Sequence, residues 1–149
     1  MNDDIVKRIR NFNRYYTAWL EVMNKEYLKT GFSWTESRVI FEIHICPGIN
    51  ATELCEHLNT DKSYISRILM KFEKDGLLTR ELILGSKGLK KIWLTEAGEK
   101  IAHQINMKGN QQIVDKLKML DDDICVKLCE AMEFIEKVLR ENDKGGTRE

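Results

Sequence analysis

The sequence predicts a mainly α-helical fold that carries one two-stranded β-hairpin, and three observations predict it. Apolar residues recur at intervals of three and four along most of the 149 positions, the period of helices that each bury one stripe. A single proline and nine glycines, beside 42% hydrophobic and 32% charged residues, favour long regular helices over a turn-rich β fold or disorder. One stretch departs from the helical period: residues 77–84 and 89–94, rich in Leu, Ile and Trp, flank Gly85-Ser86-Lys87-Gly88 and read as a hairpin with its turn. The length fits one domain, so 1–149 is taken as a single unit.

Each element has its own local cause. Ile5, Ile9, Phe12, Tyr16, Trp19, Met23 and Tyr27 form a stripe on a helix predicted over residues 3–29, closed by Gly31. Ser33-Trp34-Thr35-Glu36 has capping-box spacing and opens a helix over 35–45 that buries Val39, Ile40 and Ile43. Pro47-Gly48 breaks the chain, and Asn50-Ala51-Thr52-Glu53 starts a short helix over 51–58 that ends at Asn59, a residue tolerant of the left-handed conformation. Asp61 caps a helix over 62–74 with Ile65, Ile68, Leu69 and Phe72 inward, ended by Gly76. After the hairpin, Thr95 caps a long helix to about residue 120, where Gly109 permits a bend, and Asp121-Asp122-Asp123 opens a last helix. Residues 144–149 read as a frayed polar tail.

Composition excludes several functions. No run approaches the roughly 18 apolar residues of a membrane span, and the Met1-Asn2-Asp3-Asp4 start is acidic where a signal peptide is basic, so a cytoplasmic protein without membrane contact is expected. Cys46, Cys55, Cys125 and Cys129 show no Cys-x-x-Cys spacing and read as reduced thiols; Cys125 and Cys129, four apart on one helix, have the wrong geometry for a disulfide. His44, His57 and His103 stand isolated, so no metal site and no cofactor are expected. No nucleophile motif or phosphate-binding glycine loop occurs, and the carboxylates read as solvent-facing, which argues against an enzyme.

Charge distribution is more informative than the net charge of zero. Residues 61–91 hold eight Lys or Arg against four acids, whereas residues 119–149 hold nine acids against five bases. A local basic face fits docking on a phosphate backbone. The tight turn between Leu58 and Asp61 joins two short helices whose Leu54, Leu58, Ile65 and Ile68 face one another, with Cys55 small at the crossing and Asn59 in the turn: a helix-turn-helix pattern. Its second helix then presents Lys62, Ser63, Tyr64, Ser66, Arg67, Met70 and Lys71 outward. Arg67 can donate two hydrogen bonds to guanine O6 and N7, hydroxyls reach base edges or phosphates, and Lys62 and Lys71 neutralise phosphates. Lys87, Lys90 and Lys91 on the hairpin make a basic projection suited to the adjacent minor groove. The DNA-binding candidates are therefore Lys62, Ser63, Tyr64, Ser66, Arg67, Lys71, Lys87, Lys90 and Lys91, in a winged helix-turn-helix lobe over 35–95.

At Asn50-Ala51-Thr52-Glu53-Leu54-Cys55-Glu56-His57-Leu58, Lys62-Ser63-Tyr64-Ile65-Ser66-Arg67, Phe72-Glu73-Lys74-Asp75-Gly76-Leu77-Leu78-Thr79-Arg80 and Leu94-Thr95-Glu96-Ala97-Gly98, the sequence resembles the multiple antibiotic resistance regulators, the MarR family. The order of elements matches along nearly the whole chain. The resemblance implies an obligate homodimer that binds double-stranded DNA, usually a repressor, often released by a small phenolic or other aromatic effector or by thiol oxidation. One departure stands out: Ser86-Lys87-Gly88 occupies the place of the family's wing Asp-x-Arg, and lysine lacks arginine's planar fork.

Terminal helices with a second apolar stripe need a partner, so residues 1–30 and 96–142 are assigned to dimerisation, with closure of a monomeric bundle as the alternative, and a two-fold dimer requires an inverted-repeat site. Phe12, Tyr16, Trp19 and Phe41 are the candidates for an effector pocket, with ordinary core packing as the alternative. A winged helix serving only protein interaction, and a thiol-based redox-sensing regulator, are the alternative functions. The operator, the controlled genes, the effector and the sign of regulation are not encoded in any motif.

Overall fold

The computed structural model describes residues 1–85 and 87–146; Ser86 of the predicted turn and the last three positions of the predicted polar tail lie outside the described residues. Asn2 opens the first helix, α1 (Asp3–Trp19), by accepting the Asp4 N–H on its side chain, with Asp3 and Asp4 in the first turn where the helix dipole favours acids. The expected helix over 3–29 is corrected here, because α1 stops at Trp19. Glu21, Leu28 and Lys29 adopt positive φ, and Tyr27–Lys29 forms a separate 3-10 turn. The cause is tertiary: Tyr27 N–H donates to the Phe32 carbonyl at 2.8 Å, and its ring meets Trp34 edge-on with centroids 4.8 Å apart. A helix continuing past Trp19 would carry Tyr27 about 12 Å further along its axis, away from both partners.

Ser33 starts α2 (Trp34–Ile45) with a reciprocal capping box: its Oγ accepts the Glu36 N–H, and Glu36 Oε1 accepts the Ser33 N–H. Asn50 caps α3 (Ala51–Leu58) by accepting the Glu53 N–H, and α3 ends on Asn59 in the left-handed region at φ 46°. Asp61 caps α4 (Lys62–Lys74), taking the backbone N–H groups of Ser63 and Tyr64. Gly76, at φ 73°, lets the chain leave α4 and enter β1 (Leu78–Leu82), which pairs antiparallel with β2 (Lys90–Leu94) in the register Leu78 to Leu94. The strands are shorter than the runs 77–84 and 89–94 because Gly85, Lys87 and Gly88 all take positive φ around the turn.

Thr95 joins the hairpin to α5 (Glu96–Leu117): its Oγ1 accepts the Gly98 N–H and donates to the Gly76 carbonyl, while its own N–H donates to Leu77 O. The helix α6 (Asp122–Gly145) follows, its Ile124 and Cys125 N–H groups donating to the Asp121 carbonyl.

The chain forms two compact units, Met1–Gly109 and Asn110–Glu149, divided inside α5. The first has one hydrophobic core, to which α2 gives Val39, Ile40 and Ile43, α3 gives Leu54, and α4 gives Ile65, Ile68, Leu69 and Phe72. Leu78 and Ile92 close it from the hairpin, and Ala102 and Ile105 from α5. Ile49 enters by an isolated bridge to Ile92, so the loop after α2 is stitched to the sheet. In contrast, neither α1 nor α6 has a fully buried residue: Tyr16, Trp19, Leu128 and Met132 are half-buried, and Ile5, Ile9, Phe12, Phe134, Val138 and Leu139 are exposed. Among the described residues, no helix is long and apolar enough to cross a membrane.

Candidate nucleic-acid interface

The chain's helical period divides α4 into two faces. Ile65, Ile68, Leu69 and Phe72 are buried, and Lys62, Ser63, Tyr64, Arg67, Met70 and Lys71 are exposed, with Ser66 half-buried between them. Burying four large apolar side chains fixes the rotation of α4 and so decides which groups face out; each contributes on the order of 1.5–3 kcal/mol. At the N-terminal end, Asp61 holds Ser63 twice, through its backbone N–H and through its hydroxyl, which donates to the Asp61 carboxylate. Those bonds from Ser63 and Tyr64 hold the Asp61 carboxyl below the usual carboxylate range. Arg67 lies over the Tyr64 ring, 5.6 Å from its centroid, a stacking that orients the guanidinium without using its donors.

Lys71 is on the same helix but already has a partner, the Glu36 carboxylate of α2 at 2.6 Å. Burial pushes the Glu36 carboxyl up, yet the hydrogen bonds from Lys71 and Ser33 outweigh it and hold the carboxyl below its ordinary value; Lys71 is raised, first by its hydrogen bond to Glu36. A second pairing also removes a cation from the basic surplus. Arg80 on β1 donates two hydrogen bonds to Glu73 of α4, at 3.0 and 3.1 Å, which lowers Glu73 and raises Arg80. That fork ties β1, and with it the hairpin, to the end of α4.

The hairpin lysines are exposed as the sequence expects. Lys90 and Lys91 stand on β2, Lys91 across from Glu81, and Lys87 sits in the turn at φ 51°. Phe12, Tyr16 and Trp19 stack in series along α1, with centroids 5.4 and 5.7 Å apart, while Phe41 on α2 lies against His44 at 6.1 Å.

Two sequence expectations are corrected. Glu42 is not solvent-facing: it is buried, held by Arg38 at 3.3 Å and by His57 at 3.2 Å. The histidines are not all isolated either, since His57 reaches Glu42 and His44 Nδ1 lies 2.6 Å from Glu99 Oε2 on α5. Both pairs join residues distant in sequence, so periodicity alone carried no sign of them.

The MarR family model matches residues 32–84, from the approach to α2 through the start of the hairpin turn. A solved MarR family transcription regulator is 18% identical with a TM-score of 0.77, covering 95% of this chain and 94% of that one. A MarR mutant from E. coli, complexed with operator DNA, is 20% identical with a TM-score of 0.71 over 89% of this chain and 96% of that one. A MarR family transcriptional regulator from Listeria monocytogenes, complexed with a 26mer DNA, is 19% identical with a TM-score of 0.72 over 90% and 89%. These likenesses show a shared fold. No curated protein matches the chain in sequence.

Proposed function

We infer, from the premise that residues 32–84 belong to the MarR family and that the chain has the fold of MarR family transcription regulators, that the protein is a sequence-specific DNA-binding repressor acting as a homodimer in the cytoplasm. The observation that carries this reading is the two-faced α4: its apolar side is sealed in the core while Lys62, Ser63, Tyr64 and Arg67 stand together in solvent. A rigid helix with an arginine between hydroxyls and lysines meets what a major groove presents: guanine acceptors flanked by phosphates. Lys87, Lys90 and Lys91 extend the contact to neighbouring phosphates. With two copies related by a two-fold axis, recognition helices about 34 Å apart require an inverted repeat. The DNA complexes of the E. coli and Listeria monocytogenes relatives support the mode of binding. Release by a small aromatic effector is supported by the Phe12–Tyr16–Trp19 stack, where Phe12 remains exposed.

The test is selection of duplexes from a random pool by the purified protein, followed by anisotropy titrations of the recovered site. Arg67→Ala is expected to cost about 1–3 kcal/mol on the selected site and to relax discrimination at one base position, whereas Lys62→Ala weakens all duplexes alike and lowers the salt slope by about 0.9. An Arg67→Ala loss as large on random DNA as on the selected site, or a Lys62→Ala loss confined to the selected site, would refute the assigned roles, and failure to enrich any sequence would refute the function.

A further inference from the structure

Glu42 lies in the last turn of α2 and Cys46 is the residue that caps the end of that helix, its N–H donating to the Glu42 carbonyl at 2.9 Å. On the neighbouring helix α3, His57 turns toward them and places Nδ1 3.2 Å from Glu42 Oε2. A carboxylate oxygen, the Cys46 sulfur and an imidazole nitrogen thus lie within 4.8 Å of one another. We propose that Glu42, Cys46 and His57 form a binding site for a divalent transition-metal ion of the zinc class, bridging α2 and α3.

The donor chemistry supports this. Carboxylate oxygen, thiolate sulfur and imidazole nitrogen are the three ligand types zinc takes, at about 2.0–2.3 Å, and three protein ligands leave a fourth tetrahedral position for water. Those bond lengths place tetrahedral donors about 3.3–3.7 Å apart. The Glu42–His57 separation of 3.2 Å lies at the short edge of that range, and the sulfur needs to move inward by at most about 1.5 Å, a rotation within reach of a half-buried cysteine that packs at the rim of the core.

The Glu42 carboxylate is preset, since its side chain is only 11% exposed and Arg38 holds the other oxygen, Oε1, at 3.3 Å. That contact orients the ligand from outside, as the partners of metal ligands do. On ligation the Cys46 thiol gives up its proton to solvent, so one carboxylate and one thiolate balance the two charges of the ion, and the Arg38 charge stays on the far oxygen. A simple Glu42–His57 ion pair accounts for two of these side chains; the convergence of the Cys46 sulfur is what the metal explains.

The test uses the reduced, metal-free full chain titrated with cobalt(II) as the probe. One cobalt per chain should bind with a thiolate-to-metal charge-transfer band and the visible absorption of a tetrahedral site, and zinc should displace it. Cys46→Ser removes the thiolate band, His57→Gln weakens binding at least about tenfold, and Cys129→Ser, at an exposed thiol elsewhere, changes neither. Circular dichroism confirms that each variant is folded. Should Cys46→Ser unfold, His57→Gln carries the test by its loss of affinity, because His57 is exposed. Absence of a thiolate band in the wild-type chain, its survival in folded Cys46→Ser, or unchanged affinity in His57→Gln overturns the site.

Discussion

Lys71 shows how a single ion pair alters what an exposed cation does. Its ammonium lies 2.6 Å from a Glu36 carboxylate that is 15% exposed, while the lysine itself is 53% exposed. The positive charge is therefore neutralised on α2, and under the proposed function DNA would have to compete for it. Glu36→Gln keeps the capping box, since glutamine serves that role as well, but releases Lys71. Affinity for random duplex should rise several-fold, and the slope of log affinity against log salt should steepen by up to about 0.9. An unchanged slope in anisotropy titrations would show that Lys71 does not reach a phosphate. The same pair predicts a pH dependence. The Glu36 carboxyl titrates below its unfolded value, so its stabilisation is present above the ordinary carboxylate range and is lost as pH falls through the folded value. The wild type should exceed Glu36→Gln by about 1 kcal/mol or less at neutral pH, given the exposed lysine, and urea midpoints of the two should converge on acidification. At this scale the sequence was half legible. Arg67 and Lys62 face outward because the helical period says so; the pairings of Lys71 with Glu36, 35 positions away, and of His57 with Glu42, 15 away, depend on how helices cross.

Elements divide by where their causes lie. Ser33, Asn50 and Asp61 cap their helices through bonds that span two or three residues, and local chemistry of that kind is written in local sequence. The end of α1 was not legible, because it is decided by Tyr27 meeting Trp34 and Phe32, which no stripe of apolar residues encodes. Gly98 lies between these cases. It sits in the first turn of α5, where Thr95 clamps the helix to the exit of α4, and a Cβ there would lie 2.0 Å from the Leu77 carbonyl oxygen. Backbone cannot yield as a side-chain tip does, so Gly98→Ala should destabilise the protein by at least about 1–3 kcal/mol. Gly109, in the same helix, would meet nothing nearer than the Tyr27 hydroxyl at 4.0 Å. Gly109→Ala should therefore stabilise, by up to about 1 kcal/mol, through helix propensity. Urea denaturation of both variants checks the pair: opposite signs are expected, and equal midpoints would refute the clash at Gly98.

For the whole molecule, the decisive feature is exposed apolar surface on α1, in the first unit, and on α6, in the second. Ile5, Ile9 and Phe12 on α1, and Phe134, Val138 and Leu139 on α6, are each at least 45% exposed. Scattered apolar residues on a surface are ordinary, but regular stripes on two helices that bury nothing are what a subunit interface looks like with its partner removed. The sequence shows the stripes through their period and leaves open what covers them; the structure narrows the choice by leaving the same residues outside the core. The proposed homodimer makes a second copy the occupant, and it would pair two recognition helices, since linking two half-site contacts raises affinity by 10²–10⁴-fold over one. The double variant Ile9→Asp/Val138→Asp places charges in both stripes. It should sediment as a monomer at concentrations where the wild type is a dimer, and its affinity for the selected inverted repeat should fall at least about 100-fold. Its binding to an isolated half-site should change little, since α4 and the hairpin are untouched. If the variant unfolds instead, as subunits of an obligate dimer do, the wild type reports the same coupling through a melting temperature that rises with protein concentration. A wild-type chain that sediments as a monomer at micromolar concentration, with a melting temperature independent of concentration, excludes the two-fold arrangement and with it the inverted repeat.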